Sequence, residues 1–536
     1  MTANTCLVEN IDNLMRTVAN MEQHGRDASN NTEDAERADE ENGHAKGFND
    51  VREMKAHQSV GFWHHSLSKV RQHVIQLWCR TVLILMVAIL SILSLYWGVL
   101  FRVNANLRSI VIQVVDFDGQ VAPYDNVQPI VGPAVTQITQ QLFNSPEPSL
   151  GYITVQPSEF SYDPLQVREA VYRWDSWAAI VINPNSTALL QDAVVTGNAS
   201  YNPVGSVQIV IQTARDSTTV SSYILPQLDM FIEEFSAAFG PMWASMVMSN
   251  TSLTRENLVT ASAAVNPGIT PLLYDLRPFQ PAVTTPSVSI GLIYLIIMAF
   301  FSFSFFLPIH MKYIQPQGHP PLHFWQLIIW RWFATVAAYS LISLVYSLIS
   351  LAFQIPFTQP PASHVFSPPP EGATAYGHAT FLVYWLINYL GMCALGLACE
   401  NVAMIVGQPW VALWLIFWVI TNVATSFYSL DLAPGFYGWG YAWPLHQIVE
   451  ASRQLLFDLH SRIGLNVGVL CAWFAVNTVL FPFCCYFMRW KTERETRQAE
   501  KDKDQYVVTT EDGEKEFSKN KGDKPPIRKR GFLRGV

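Results

Sequence analysis

The stretch of residues 81–101, TVLILMVAILSILSLYWGVLF, constrains this chain most, because it holds no charged side chain. An α-helix of about twenty residues, rising about 1.5 Å per residue, crosses a hydrocarbon core of about 30 Å. Inside lipid, every backbone N–H and C=O must find a partner within its own segment, so this stretch is predicted to be a transmembrane helix. It separates an N-terminal tail from a large domain on the opposite membrane face.

Five further apolar stretches indicate that the chain crosses the membrane repeatedly. Half of its 536 residues are hydrophobic and only 14% are charged, against a usual share of about 25%. The sequence therefore predicts an α-helical polytopic membrane protein with six spans in a 1+5 arrangement and a large extracellular or lumenal α/β domain after the first span. The five later spans are expected at 287–307, 333–353, 380–398, 410–426 and 464–486.

Charged residues predict the face on which each part lies. Lys69, Arg71 and Arg80 precede the first span, and basic residues are enriched on the cytoplasmic side of membrane segments. The N-terminus is therefore predicted to be cytoplasmic, and the region 103–285, which contains no Lys, to be outside or in a lumen. Alternation through six spans returns the basic tail, 489–536, to the cytoplasm, so both termini are expected there.

Three N-x-S/T sequons agree with that orientation. They lie at Asn185 (NST), Asn198 (NAS) and Asn250 (NTS), all within 103–285. Such sequons are glycosylated on lumenal or extracellular surfaces, so the chain is predicted to be a glycoprotein. None of the seven cysteines lies in 103–285, which excludes a disulfide framework for that region.

Composition divides the chain into six parts. The N-terminal part, 1–60, is too polar to bury a core and is predicted to be disordered. The next part, 61–80, is basic with interleaved tryptophans, which suits either a short helix on the membrane surface or an ordinary flank of the first span. The parts are a cytoplasmic tail, 1–60; a juxtamembrane segment, 61–80; the first span, 81–101; the α/β domain, 103–285; a five-helix membrane domain, 287–488; and a basic tail, 489–536.

The region 103–285 alternates strand-like and helix-like segments, which is typical of βαβ units and a mainly parallel sheet. Residues 217–248 read as helix with a break at Pro226, and 272–286 as a Pro-rich connector to the membrane. The motif VVDFDG could suggest a metal or phosphate site, but a strand that ends in an Asx turn is the favoured interpretation. The four predicted strands lie in 109–119, 151–157, 177–187 and 206–216, and the first two helices in 132–143 and 163–174.

Polar residues in or beside the later spans are the candidate functional residues, because polar groups in a bilayer are costly. They could form a polar seam that serves as a substrate path, or they could hydrogen-bond between helices; the second interpretation is favoured. The residues are Asn388, Glu400, Asn401, Gln408, Asn422 and Asn477. Separately, the amphipathic stretch 446–462 is predicted to lie in the outer membrane interface.

No catalytic, cofactor-binding or metal-binding residue is predicted. The sequence contains no G-x-x-x-x-G-K-[ST], no G-x-S-x-G and no H-E-x-x-H, so phosphate-loop ATPases, α/β-hydrolases and zinc peptidases of those types are excluded. His310, His319 and His323 do not follow a zinc-ligand spacing. The protein is therefore expected not to be an enzyme, and no nucleic-acid partner is expected.

The strands VIQVVDFDG and AAIVINPNST and the stretch GYAWPLHQIVEASRQLLFD carry a family resemblance. That last stretch is similar to the segment before the final helix of ABC-type exporter membrane subunits. Residues 80–488 resemble the fungal nitrosoguanidine-resistance membrane protein family, which shares one uncharacterised domain. The resemblance implies a multipass protein, at the plasma membrane, linked to resistance to toxic compounds, and it makes a homodimer plausible.

Two functions are consistent with these sequence features. The first is the membrane component of an exporter, which would need a separate ATPase subunit or a coupled ion gradient, because this chain has no nucleotide motif. The alternative is a non-transporting plasma-membrane organiser or stress-signalling protein that acts on lipid order. In both, the lipid bilayer is the immediate partner.

Overall fold

The computed structural model describes residues 61–146, 148–314, 320–357, 376–407 and 409–517. The predicted disordered tail, 1–60, lies outside them. The chain forms two units, Met1–Cys79 and Arg80–Val536. In the first, the Arg71 guanidinium donates to the carbonyl oxygen of Phe62 at 2.5 Å. The helix α1, Ser68–Gly98, begins inside the predicted juxtamembrane segment, so that segment is not a separate surface helix.

The α/β domain is built on a five-stranded mixed sheet in the order β2-β1-β3-β4-β5. β1 is parallel to β2 and β3, whereas β4 is antiparallel to β3 and parallel to β5. The predicted, mainly parallel arrangement therefore fails only at the β3–β4 pairing, because side-chain alternation identifies a strand but not its direction. The strands are β1 Val111–Asp116, β2 Gly151–Val155, β3 Ala178–Ile182, β4 Val204–Ile211 and β5 Thr270–Asp275.

Helices cover this sheet where the sequence predicted them. Asp163 caps α3 by accepting a hydrogen bond from the Leu165 amide at 2.9 Å, with Pro164 as the first helical residue. The predicted break near Pro226 is a π-turn, Val220–Ile224, just before α5. The helices are α2 Val131–Asn144, α3 Pro164–Tyr172, α4 Ser186–Thr196 and α5 Leu225–Ser249, followed by the short helices Arg255–Thr260 and Ser262–Val265.

One strand was missed. The predicted connector 272–286 begins inside β5, whose Leu273 is paired with Ile209 of β4. β5 lies at the edge of the sheet, and Leu273 keeps 40% of its surface exposed. A short edge strand followed by several prolines carries a weak local signal, so the neighbouring strand, not the local sequence, defines it.

The membrane domain contains the long apolar helices that the sequence predicted, with one difference. In the part of the chain that the structure describes, five helices, including α1, are long and apolar enough to cross a membrane. The predicted span 410–426 is α9, whose 14 residues extend only about 21 Å. The helices are α6 Ile293–Met311, α7 Phe324–Ala352, α8 Thr380–Val406, α9 Val411–Ala424, α10 Pro444–Phe457 and α11 Ile463–Phe517.

Two contacts show which helix ends lie together. Lys491 of α11 lies 3.3 Å from the carbonyl oxygen of Val406, at the end of α8. At the opposite end, Tyr437 donates to the carbonyl oxygen of Leu95 in α1 at 2.8 Å. α9 runs from the first group toward the second, because its Asn422 accepts a hydrogen bond from the first turn of α10.

The helix α10 differs most from its predicted environment. It overlaps the amphipathic stretch 446–462, but twelve of its fourteen residues are buried. Its apolar side packs on the membrane helices, and Gly391 of α8 leaves room for Ile448. Its polar side contacts the α/β domain through Arg453. The prediction that this helix rests in the outer membrane interface was therefore wrong about what covers its polar face.

Candidate functional site

A buried ion pair lies within the membrane helices. Arg331 of α7 and Glu400 of α8 are 2.7 Å apart, with side chains that are 2% and 5% exposed. The other terminal nitrogen of the guanidinium lies 3.6 Å from the sulfur of Met404 and 3.7 Å from that of Cys485. Each charge is thus removed from water and is compensated mainly by the other.

Sequence reasoning identified Glu400 but missed its partner. The sequence pattern places Arg331 in the inner loop 308–332, where WQLIIWRW is interpreted as an interfacial lead-in to the span 333–353. In the structure, α7 begins at Phe324, so Arg331 lies about two turns inside a helix. The signal that could have found it is the continuous helical pattern WQLIIWRWF around the charge.

A second polar contact joins α8 to α11. The side-chain amide of Asn401 donates to the carbonyl oxygen of Asn477 at 3.0 Å and to its side-chain oxygen at 3.2 Å. The Asn477 amide in turn donates to the carbonyl oxygen of Trp473 at 2.9 Å. Both asparagines are buried, so the pair satisfies polar groups that would otherwise be costly in the bilayer.

The remaining candidates lie elsewhere in the bundle. Asn388 donates to the hydroxyl of Ser347 on α7 at 3.0 Å, and it precedes Glu400 by about 18 Å along α8. Asn422 accepts a hydrogen bond from the Leu445 amide at 3.1 Å. Gln408 lies outside the described residues. The candidates therefore form separate contacts between helices, as hydrogen bonding between helices requires, and a substrate path stays a prediction.

The VVDFDG motif forms structural hydrogen bonds. Asp116 accepts from the Asp118 amide at 3.0 Å, which is the predicted Asx turn. Asp118 is fully buried and accepts from the amides of Thr187 and Gly132, at the beginnings of α4 and α2. Burial and, less strongly, the Asp118 charge raise the pKa of Asp116 to about 6, although the amide hydrogen bond opposes this shift. The motif therefore ties two helices to the end of β1.

The histidines and other potential ligands are dispersed. His310 is buried, and its ring accepts from the Trp330 indole at 3.2 Å; His323 directly precedes α7. His319 lies outside the described residues. Among the residues that the structure describes, no three His, Cys, Asp or Glu side chains are grouped so that they could hold a metal ion.

The three sequons differ in accessibility. Asn198 and Asn250 are exposed, and each accepts a hydrogen bond from the amide two residues later. Asn185 is half-buried, and Thr187 of its sequon is buried against Asp118. A glycan is therefore accommodated more easily at the first two positions.

Buried charges also connect the α/β domain to the membrane domain. Arg277, after β5, pairs with Asp458 at 3.0 Å, and Arg453 of α10 pairs with Asp216 at 3.2 Å. Arg453 was an exception to the predicted charge asymmetry, because the sequence placed it in an outer loop. Its pairing with Asp216 accounts for that exception.

Known protein sequences are similar to this chain over most of its length. A family model described as protein of unknown function (DUF3533) matches residues 81–479. An uncharacterized endoplasmic reticulum membrane protein of Saccharomyces cerevisiae is 27% identical over 443 residues, which are 79% of this chain and 82% of the yeast protein. No solved structure matches the chain. The family match begins inside α1, includes the α/β domain, and ends within the first third of α11.

Proposed function

The chain belongs to the family described as protein of unknown function (DUF3533), and we propose that this multipass membrane protein is the membrane component of an export system for toxic compounds. The observation that supports the proposal most is the ion pair of Arg331 and Glu400 inside the membrane helices. Ionisable groups at such positions are expensive and typically mark ion or substrate pathways. The resemblance to nitrosoguanidine-resistance proteins suggests nitrosoguanidines as a first test compound.

The energy for export would come from outside this chain. Its sequence holds no phosphate-loop motif, so ATP-driven movement requires a separate ATPase subunit, and we expect the membrane component to act as a homodimer. The proposed role includes no covalent chemistry on the compound, no cofactor and no nucleic acid.

The membrane in which the protein acts is part of the proposal. The resemblance suggests the plasma membrane, whereas the yeast relative is described as an endoplasmic reticulum protein. We favour the endoplasmic reticulum, where export would move a compound into the lumen. Co-localisation of the fluorescently tagged chain with markers of each membrane distinguishes the two.

A groove between α6 and α7 supports the alternative, an organiser that acts on lipid order. It has a volume of about 690 Å³ and is almost entirely apolar. Such a surface suits an acyl chain better than a polar substrate. Its lining includes Tyr294, Met298, Leu341, Val345, Ile349 and Phe353.

Accumulation of a radiolabelled nitrosoguanidine tests the proposal. Cells with and without the protein are compared before and after ATP depletion. Export predicts lower accumulation in cells that contain the protein, loss of this difference on depletion, and loss of it in Glu400→Gln at equal protein abundance. Equal accumulation with resistance intact would contradict export and favour the organiser.

A further inference from the structure

A polar cavity lies where the α/β domain meets the segment between α9 and α11. Its volume is about 260 Å³, several times that of a water molecule. We call it the junction cavity; its lining includes Trp174, Trp177, Arg215, Asp431, Glu450 and Arg462. The cavity is level with the end of α9 and the beginning of α11. In the predicted topology, this is the level of the lipid headgroups.

Arg215 has no carboxylate within ion-pair distance among the described residues, although the charges of Asp431, Asp216 and Glu450 act on it. Its guanidinium donates to the carbonyl oxygen of Ser176 at 2.9 Å and lies 3.7 Å from the ring centroid of Trp177. Within the described part of the chain, it makes no ion pair. Burial lowers the pKa of Arg215 to about 10, so it is still protonated at neutral pH.

Arg462 supplies a second such cation. Its guanidinium lies 5.1 Å from the ring centroid of Trp174, and that of Arg215 lies 5.2 Å from the same centroid. Arg462 likewise has no carboxylate within ion-pair distance among the residues described. Two guanidinium groups therefore gather at one indole on the wall of the cavity, with donors available for an anion.

Carboxylates occupy other parts of the wall. Asp431 accepts from the indole of Trp177 at 3.0 Å and from the Tyr441 hydroxyl at 3.3 Å. These donors are neutral, so the charge of Asp431 is offset mainly by that of Arg215, with which it interacts across the cavity. Although burial opposes it, hydrogen bonds from His446 and Asn466 hold the pKa of Glu450 below its usual range.

The third arginine of the cavity is already paired. Arg453 and Asp216 are 3.2 Å apart. Setting that pair aside, two guanidinium groups and two carboxylates share the cavity with His446, which lies 3.6 Å from Glu450; with a neutral imidazole their formal charges sum to zero. A simple anion gains little from a neutral cavity, whereas a zwitterion can place each of its charges against the opposite one.

From this arrangement we infer that the junction cavity binds the phosphoethanolamine headgroup of a phospholipid. The phosphate group would be held by Arg215 and Arg462, since guanidinium groups match phosphate oxygens in geometry and charge. The ammonium group would be held by Asp431 and Glu450. The same phosphate contacts could accept free inorganic phosphate, so the test separates these two sources.

The full-length protein, purified in detergent, is titrated calorimetrically with soluble glycerophosphoethanolamine, glycerol phosphate and inorganic phosphate. We expect glycerophosphoethanolamine to bind most tightly. Arg215→Gln and Arg462→Gln should each weaken it at least about tenfold, the change that one lost charge-assisted contact produces. Asp431→Asn should remove the preference over glycerol phosphate, while Arg255→Gln, at an exposed position outside the cavity, should change nothing.

Folding is checked by the unfolding temperature of each variant without ligand, which should stay within a few degrees of the wild type. Equal affinity for inorganic phosphate and glycerophosphoethanolamine would overturn the headgroup assignment in favour of free phosphate. No heat of binding from any of the three probes, or unchanged binding in both arginine variants, would overturn the site itself. The assay requires no transport, so its result is independent of the export proposal.

Discussion

At the scale of single residues, the pair of Arg331 and Glu400 shows how strongly a buried charge depends on its partner. Each side chain is at most 5% exposed, and their nitrogen and oxygen are 2.7 Å apart. Removing one partner leaves an uncompensated charge among apolar helices, whereas replacing both by apolar side chains removes the desolvation cost as well.

We therefore expect Glu400→Leu to destabilise the protein by about 3–5 kcal/mol. The double variant Glu400→Leu with Arg331→Met should recover most of that loss. Thermal unfolding of the purified protein, wild type and three variants, measures the coupling. A double variant as unstable as the sum of the two single variants would contradict the assigned pairing.

Asp116 gives a second prediction at this scale, which concerns how stability depends on pH. Its folded pKa of about 6 lies above its ordinary value of 3.8. Its contribution to the free energy of unfolding, at most about 3 kcal/mol, is therefore fully present below its ordinary pKa. That contribution is lost as the pH rises through 6. Asp116→Asn keeps the acceptor for the Asp118 amide but cannot titrate. The stability of the wild type relative to Asp116→Asn should thus fall between pH 4.5 and 7.5.

Paired unfolding curves at those two pH values test this expectation. Other titrating groups are common to both proteins and cancel in the difference. A difference in unfolding temperature that does not change with pH would show that Asp116 titrates normally.

At the scale of helices and strands, the sequence predicted where these elements form better than it predicted what surrounds them. The apolar periodicity of 446–462 was sufficient to predict α10, but periodicity cannot tell whether water, lipid or another domain covers the polar face. Likewise, the apolar run 410–426 predicted a span, but α9 ends at Ala424 after fourteen residues. Hydropathy measures composition, whereas the length of a helix is fixed by its ends and by the neighbours that cap them.

Close helix packing gives the prediction at this scale. A Cβ atom at Gly396 of α8 would lie 2.6 Å from the ring of Tyr339 and 2.7 Å from the Cβ atom of Ala299. Gly396→Ala should therefore force α7 and α6 away from α8, at a cost of about 1–3 kcal/mol. Thermal unfolding measures this cost: Gly396→Ala should unfold at a lower temperature than the wild type.

Gly468 of α11 is the matched control, because no atom lies within 4 Å of its added Cβ. Gly468→Ala should leave stability unchanged or slightly raised, since alanine favours helix over glycine by about 1 kcal/mol. Equal losses in the two variants would mean that the helices around Gly396 pack more loosely than these distances require.

At the scale of the whole molecule, the α/β domain and the membrane helices are joined by buried charges. The sequence predicted both parts and their order, because hydropathy and charge asymmetry vary over tens of residues. It could not predict the pairs Arg277–Asp458 and Arg453–Asp216, since each joins residues more than 180 positions apart. The junction cavity was missed for the same reason.

The orientation of this assembly in the membrane underlies both the export function and the headgroup site. Exposed sequons at Asn198 and Asn250 should carry glycans if the α/β domain is extracellular or lumenal. The substitution Val507→Asn creates a sequon in the last part of α11, within the basic tail 489–536, which should stay unmodified because that tail is expected on the cytoplasmic face. Asn185, being half-buried, should contribute least.

The most direct test is therefore a glycosylation map of the full-length protein in its native host, read as mobility shifts after endoglycosidase treatment. We predict a shift that disappears in the double variant Asn198→Gln with Asn250→Gln, and no additional shift in Val507→Asn. A glycan on the engineered tail sequon, with none at Asn198 or Asn250, would place the α/β domain on the cytoplasmic face and contradict the predicted topology.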